Sequence, residues 1–90
     1  DSIDTAGVIS TAGTVGRMDF IPEKDATVVA RLRAAGAVLL GKTNTPEFGV
    51  SNVTEPELFG PTRNPWNLER TSSGSSGGAS PASWWSTGTT

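Results

Sequence analysis

The 90-residue sequence contains no histidine and no cysteine. Histidine is the usual general base for a serine nucleophile, so no Ser-His-Asp triad can be drawn from these residues. A serine enzyme of this composition must use a lysine or a carboxylate as its base, or take the base from sequence outside this segment. The absence of cysteine excludes disulfides and thiolate chemistry.

Basic runs and long apolar stretches are also missing. Seven basic and nine acidic residues are scattered along the chain and give a net charge of −2. No basic cluster could neutralise a phosphate backbone, so we expect no direct contact with nucleic acid. There is neither a stretch long enough to span a bilayer nor a signal-peptide pattern. We therefore expect a soluble, cytoplasmic chain without membrane association, and nothing in the sequence calls for a metal or a cofactor.

Large apolar side chains are few for a protein that must build its own core. Leu, Ile, Val, Phe, Met and Trp together number 22, and small domains bury too little surface to spare such residues. The chain opens at Asp1 without an initiator methionine and closes on Thr-Gly-Thr-Thr. These features predict a piece of a larger domain, truncated at both ends.

The clearest secondary-structure signal lies in "DATVVARLRAAGAVLLGK". Apolar residues recur at spacings of three and four behind Asp25, a good N-cap, and predict a helix over about 25–35. Gly36 supplies a left-handed C-cap, and the apolar run that follows is typical of a buried parallel strand, near 37–41. A helix running into a strand predicts an α/β fold.

Between Lys42 and the serine-rich residues that begin at Thr71, four prolines prevent any long regular element. "TPEFGV" predicts one helical turn that starts at Thr45, and "LFGPTRNPWN" predicts a structured loop held by its Phe and Trp. Glu55 and Glu57 could in principle perform acid–base chemistry, but no other chemical group accompanies them. A solvated loop is the better interpretation of that pair.

The letters of "GAVLLGKT", residues 36–43, match the phosphate-binding pattern G-x-x-x-x-G-K-[ST]. A phosphate-binding loop needs a strand before it and a helix after its lysine. Here a helix precedes, the middle residues form the predicted strand, and Asn44-Thr45-Pro46 follows. We therefore interpret Lys42 as a lysine at the end of a strand and expect no nucleotide binding.

The stretch "TSSGSSGGAS", residues 71–80, allows two interpretations. Its composition alone favours a flexible linker. The segments "DATVVARLRAAGAVLLGKTNTPEF" and "LFGPTRNPWNLERTSSGSSGGAS" favour a serine-bearing active-site loop, because together they resemble the amidase signature family, the Ser-cisSer-Lys amide hydrolases. The resemblance runs from Asp1 to about Ser80 and implies an incomplete fragment of the family's α/β fold, a mixed sheet flanked by helices.

The resemblance also implies roles for individual residues of the loop. Ser75 takes the position of the bridging serine, whose preceding peptide bond is cis and which relays a proton between a lysine and the nucleophilic serine. Gly74 relieves steric crowding, Gly77 and Gly78 let the backbone pass close to the substrate, and Ser76 supports the loop. The implied substrate is a small-molecule amide, and no cofactor is required.

The chain departs from the family pattern in several places. The family's catalytic lysine stands immediately before the position of Asp1, and its nucleophile belongs to a Gly-Thr-Asp-x-Gly-Gly-Ser motif that these residues lack. Residues 81–90 replace an expected alanine-rich helix and predict a divergent tail behind a partial domain, residues 1–80. Ser73 stands where a glycine is usual, and Pro56 and Glu57 stand where the family carries Asn-Pro.

Two functions therefore stay open at the level of sequence. The first is a fragment of an amidase that cleaves carboxamide C–N bonds by the Ser-cisSer-Lys mechanism in the intact parent. The second is a truncated or wrongly delimited fragment without turnover, or a small interaction module. Genomic sequence on both sides would separate them, since a broken enzyme leaves a lysine codon upstream and a Gly-Gly-Ser motif downstream.

Overall fold

A computed structural model describes residues 1–86, and describes the side chains of residues 1–83. Its elements in chain order are a short 3-10 helix Val15–Arg17, helix α1 Thr27–Ala34, a second 3-10 turn Glu47–Gly49, strands β1 Arg63–Asn64 and β2 Asn67–Thr71, and helix α2 Ala79–Ser86. Loops connect these elements and form most of the chain.

Helix α1 confirms the predicted helix, with bounds inside the expected 25–35. Its end is a Schellman motif: Gly36 has a φ of +91°, its N–H donates to the Arg33 carbonyl, and the Ala37 N–H donates to the Leu32 carbonyl at 3.0 Å. Glycine is required at Gly36 because a side chain is strained at that φ.

The N-terminal end of α1 corrects the sequence prediction. Ala26, not Asp25, is the N-cap, and no side chain caps the helix. The Asp25 carboxylate instead accepts the Ala6 N–H at 2.7 Å and pairs with Arg33 at 3.2 Å. The Ala6 N–H lies in a loop 19 residues before Asp25. Rules for helix capping consider only neighbouring residues, so they could not predict that Asp25 bonds this loop instead of the helix.

The predicted strand near 37–41 is not formed among the described residues. A strand exists only where a neighbouring strand pairs with it, and no described segment forms a ladder with this run. Val38 is 80% exposed and Leu40 is 97% exposed, although both are typical of a buried strand. The apolar pattern is therefore present without the sheet that would bury it.

The strands that do form make an antiparallel hairpin that the sequence did not predict. β1 and β2 pair Arg63 with Thr71 and Asn64 with Asn67, with an irregular register between the two pairs. The Asn64 side chain accepts the Trp66 N–H at 2.9 Å and stabilises the turn between β1 and β2. This hairpin begins inside the "LFGPTRNPWN" segment that was expected to be a structured loop, and β2 leads directly into the serine-rich stretch.

The interior of the described fold is lined with hydroxyl groups. Its buried polar residues are Thr5, Ser10, Thr11, Thr14, Thr45 and Thr54, and Ala12 is a buried apolar residue beside them. Buried hydroxyls require hydrogen-bond partners, and several of them find those partners in the loop backbone. Large apolar side chains such as Phe48 and Val50 remain exposed, which agrees with the expectation that this segment does not close a core of its own.

Helix α2 begins at Ala79, so its first two residues are the last two of the serine-rich stretch, and it runs across the predicted boundary between residues 80 and 81. Pro81 is tolerated because it lies in the first turn, where the backbone N–H has no partner within the helix. The predicted divergent tail, 81–90, extends beyond the described residues, and the division of the chain at that boundary stays a prediction.

Candidate active site

A cleft of about 340 Å³ contains both Ser75 and Ser76. Its polar side includes Asp1, Lys42 and Thr43, and its apolar side is formed by α1 and the run behind it, through Val28, Val29, Leu32 and Leu39. The first residue of the chain and the serine-rich loop thus lie on the same cleft. A larger neighbouring cleft of about 590 Å³ shares Asp1 and Lys42 but contains neither serine.

Glycines hold the serine-rich loop against the preceding loops. A Cβ at Gly74 would lie 2.6 Å from the Ser51 carbonyl oxygen. A Cβ at Gly78 would collide with the backbone of Asn44, and one at Gly77 with the hydroxyl of Thr54. The three glycines therefore allow an approach that no side chain could tolerate. The close approach seen here is to neighbouring loops, and the approach to a substrate that was implied for Gly77 and Gly78 stays a prediction.

Hydrogen bonds fix the same loop at both ends. The Thr54 hydroxyl, which is fully buried, donates to the Ser73 carbonyl at 2.8 Å. The Gly78 N–H donates to the Asn44 carbonyl at 3.1 Å, and the Thr45 hydroxyl lies 3.4 Å from the Ser75 carbonyl. The linker interpretation of the stretch is wrong, because a flexible coil would not have backbone groups bonded to three separate loop residues.

Asn44 connects this loop to the hairpin. Its side-chain amide donates to the Thr62 hydroxyl at 2.7 Å and its side-chain carbonyl accepts the Thr45 N–H at 3.0 Å. The Thr62 backbone in turn bonds Thr54 and Ser72, at 2.8 and 3.3 Å. One network therefore positions the loop from two directions.

Two backbone features mark the loop itself. The peptide bond between Gly74 and Ser75 is cis, as the resemblance implied. Ser73 has a φ of +72°, in the left-handed region that favours glycine. The position where the family usually carries a glycine is therefore one whose conformation favours it.

An ion pair lines the same cleft. The Lys42 ammonium is 2.9 Å from Asp1 Oδ1 and donates to the Ile3 carbonyl at 2.8 Å and the Ser10 hydroxyl at 2.6 Å. Burial lowers the pKa of Lys42; the nearby Asp4 carboxylate acts in the opposite direction, and the charge of Arg17 lowers it further. Because it bonds the Ile3 carbonyl and the Ser10 hydroxyl and pairs with the Asp1 carboxylate, this lysine does not resemble a phosphate-binding one.

Several residues of this site were not found by sequence reasoning. The sequence interpretation gave Lys42 no functional role and did not single out Asn44, Thr45 or Thr54. The contacts of Asn44, Thr45 and Thr54 with the serine-rich loop join residues that are 19 to 34 positions apart in the sequence. A lone threonine or asparagine between prolines carries no local signal of such a distant partner.

The part of the chain that the structure describes carries neither a metal-ligand cluster nor a membrane span. Among residues 1–86, no group of three or more His, Cys, Asp or Glu residues is arranged to hold a metal ion. Within the same residues, no helix is both long enough and apolar enough to cross a bilayer. Glu55 and Glu57 are both exposed, which agrees with their interpretation as a solvated pair.

Comparison with solved structures places these loops in a known architecture. The chain is 48% identical to 6-aminohexanoate cyclic dimer hydrolase in a structure complexed with substrate, with a TM-score of 0.81, covering 90% of this chain and 17% of that one. It is 44% identical to the A subunit of glutamyl-tRNA(Gln) amidotransferase from Thermotoga maritima, with a TM-score of 0.80, covering 86% of this chain and 17% of that one.

Comparison with curated sequences gives the same result. The chain is 51% identical over 82 residues to the A subunit of glutamyl-tRNA(Gln) amidotransferase from Sulfurisphaera tokodaii, covering 91% of this chain and 17% of the relative. The chain thus spans about one sixth of the length of the relatives it matches. Residues 1–82 match the family described as Amidase. The resemblance seen in the sequence is confirmed, and this chain belongs to the amidase signature family.

Proposed function

We propose that this chain is a segment of an amide hydrolase in which Ser75 relays a proton between a lysine and a nucleophilic serine. The observation that carries the proposal is the shared cleft: Ser75 lies on the same cleft as Asp1, the residue that directly follows the position of the family's lysine. In this proposal the lysine and the nucleophile belong to sequence outside these residues, and the 17% share of the relatives that the chain covers leaves room for both.

Hydrogen bonds support a short distance between Asp1 and the serine-rich loop. The Asp1 amino nitrogen is 2.7 Å from the Thr43 carbonyl, and the Thr45 hydroxyl is 3.4 Å from the Ser75 carbonyl. Two residues of chain span at most about 7 Å, so Asp1 and Ser75 are bonded to neighbouring points of one segment. A lysine preceding Asp1, with its flexible four-carbon stem, would reach the serine loop from there.

The proposed mechanism divides amide hydrolysis into two steps. The neutral lysine takes the Ser75 hydroxyl proton while Ser75 takes the proton of the nucleophilic serine, whose oxygen bonds to the amide carbon. The C–N bond then breaks, the departing amine receives the proton back along the same path, and an acyl-enzyme remains. Water attacks the acyl carbon through the same relay and releases the carboxylic acid.

The proposed substrate class follows from membership of the amidase signature family. We propose a small carboxamide, because solved relatives include a cyclic dimer hydrolase in complex with its substrate and an allophanate hydrolase of Kluyveromyces lactis. The mechanism needs no cofactor. A cytoplasmic setting, without a membrane or a directly bound nucleic acid, is part of this proposal.

The second candidate is a fragment without turnover. The observation that favours it is the exposed apolar surface, with Val38, Leu40 and Val50 each at least 80% exposed. A chain that leaves such residues in water needs further protein to cover them. The two candidates agree on ancestry and differ in whether these residues ever take part in catalysis.

A hybrid enzyme separates the candidates. In this hybrid hydrolase, residues 1–82 replace the matching segment of 6-aminohexanoate cyclic dimer hydrolase, and hydrolysis of the cyclic dimer is measured. We expect turnover, a loss of about 10²- to 10⁴-fold in kcat for Ser75→Ala with little change in KM, and a loss of less than about tenfold for Ser76→Ala. A folded hybrid with equal and small losses for both variants would assign the relay to another residue.

A further inference from the structure

The backbone around Ser75 is bonded on both sides by buried threonine hydroxyls. The Thr54 hydroxyl donates to the Ser73 carbonyl at 2.8 Å, and the Thr45 hydroxyl donates to the Ser75 carbonyl at 3.4 Å. Thr54 is fully buried and Thr45 is 5% exposed. The two carbonyls stand on either side of the peptide that joins Gly74 to Ser75, so the two hydroxyls restrain the unit that carries the Ser75 side chain.

The two threonines differ in what they face. Thr45 lines the cleft that contains Ser75, whereas Thr54 is not among the described residues that line it. The Thr54 hydroxyl instead lies where a Cβ on Gly77 would collide with it. Thr54 therefore packs against the loop away from the cleft, and Thr45 bonds it beside the proposed reacting group.

Thr45 is itself held in place by its neighbours. Its N–H donates to the Asn44 side-chain carbonyl at 3.0 Å, and a Cβ on Gly13 would lie 2.7 Å from its carbonyl oxygen. A residue that precedes a proline is also confined to extended conformations, and Pro46 follows Thr45. The Thr45 hydroxyl is thus attached to a backbone that cannot shift independently of the adjoining loops.

We propose that Thr45 is a positioning residue for the relay: its hydroxyl holds the Ser75 carbonyl and thereby sets where the Ser75 hydroxyl stands when it exchanges protons. This inference rests on the proposed function and extends it to a residue that does not react. A distance of 3.4 Å is long for a hydroxyl donor, and catalytic hydrogen bonds of this kind tighten when the substrate is bound. Thr45 therefore acts on kcat, since misplacing a reacting group by about 1 Å costs about 10²-fold in rate.

The first experiment measures kcat and KM of the hybrid hydrolase. Thr45→Val keeps the shape of the side chain without its hydroxyl, and it should lower kcat by about ten- to 100-fold with little change in KM. Thr45→Ser keeps the hydroxyl and should restore most of kcat. Thr14→Val is the matched control, because Thr14 is buried like Thr45, its hydroxyl donates to Glu47 at 2.6 Å, and it lines neither of the two clefts described above. This control should leave kcat unchanged.

The second experiment asks whether Thr45 acts through Ser75. Once Ser75→Ala has removed the relay hydroxyl, there is nothing left for Thr45 to position, so adding Thr45→Val should not lower kcat further. A residue that only stabilises the fold would lower kcat by the same factor in both backgrounds. Thr54→Val should lower the melting temperature more than Thr45→Val does, because the Thr54 bond is shorter and its side chain is fully buried.

Three results would overturn the inference: unchanged kcat in Thr45→Val, equal losses in Thr45→Val and Thr45→Ser, or losses that multiply in the double variant. Should Thr45→Val fail to fold, Thr45→Ala replaces it with the same expected results. Loss of activity in Ser75→Ala beside full activity in Thr45→Val would leave the proposed function standing and refute the inference alone. A folded hybrid whose kcat does not change in Ser75→Ala would refute the proposed function and the inference with it.

Discussion

The α-carbon of Gly77 lies directly against the side chain of Thr54. A Cβ on Gly77 would approach the Thr54 hydroxyl oxygen to well under 3.0 Å, a distance that real Cβ atoms essentially never show. The same hydroxyl donates to the Ser73 carbonyl at 2.8 Å, so it cannot turn away without losing a buried hydrogen bond. This one contact therefore couples the shape of the serine-rich loop to a threonine 23 residues earlier.

Gly77→Ala should displace the loop. Overpacking costs about 1 to 3 kcal/mol, and misplacement of a reacting group by about 1 Å costs about 10²-fold in rate. We expect a lower melting temperature of the hybrid hydrolase and a fall in kcat of at least about tenfold. Gly16→Ala is the control, because Gly16 lies outside the Ser75 cleft and a Cβ there meets only the Thr14 hydroxyl oxygen, at 3.9 Å. Similar losses in both variants would contradict the packing argument.

Ser73→Gly should stabilise the loop. Ser73 has a φ of +72°, which costs about 1 to 2 kcal/mol for a residue with a side chain, and glycine recovers part of this cost. The hydroxyl that is lost makes a long, exposed bond of 3.5 Å to the Asn52 carbonyl. We expect a higher melting temperature in Ser73→Gly and a lower one in Ser72→Gly, where φ is not positive. A lower melting temperature in both variants would mean that the Ser73 hydroxyl contributes more to stability than the strained Ser73 backbone costs.

Asp25 should stabilise the fold mainly through its hydrogen bond to the loop. Its carboxylate accepts the half-buried Ala6 N–H at 2.7 Å, whereas its ion-pair partner Arg33 is 46% exposed. Exposed pairs contribute little, and a buried donor left without a partner costs about 1 to 3 kcal/mol. Asp25→Ala should therefore destabilise the hybrid by about 1 to 2 kcal/mol, while Asp25→Asn, which keeps an acceptor oxygen, should have a small effect. Thermal denaturation of both variants tests the order.

The sequence predicted the elements whose causes are local. Helix α1 and its Gly36 cap follow from residues within about ten positions of each other, and both were found. The run near 37–41 has the composition of a strand, but a strand depends on partners that the described residues do not supply. The N-cap was misplaced for a similar reason, because Asp25 bonds a distant loop.

The candidate site was predictable only through its motif. The glycines and serines of the loop identified it by resemblance, and the structure places Ser75 on the cleft. The residues that hold the loop could not be read from the sequence, since the contacts of Asn44, Thr45 and Thr54 with it join separate loops. Long-range contacts between polar loops leave no periodicity, and periodicity is the main local signal in a single sequence.

The 90-residue chain alone should not hydrolyse amides. A serine hydroxyl is a weak nucleophile without a positioned base, and each donor to the tetrahedral intermediate contributes about 3 to 4 kcal/mol. The two lysines that could act as a base do not suit the role: Lys42 is held by Asp1, Ile3 and Ser10, and Lys24 is exposed and absent from the Ser75 cleft. Assays of the purified chain with short aliphatic and aromatic amides should show no release of amine, while the hybrid hydrolase turns over its substrate. Turnover by the chain alone that disappears in Ser75→Ala would instead make Ser75 a nucleophile and replace the relay mechanism.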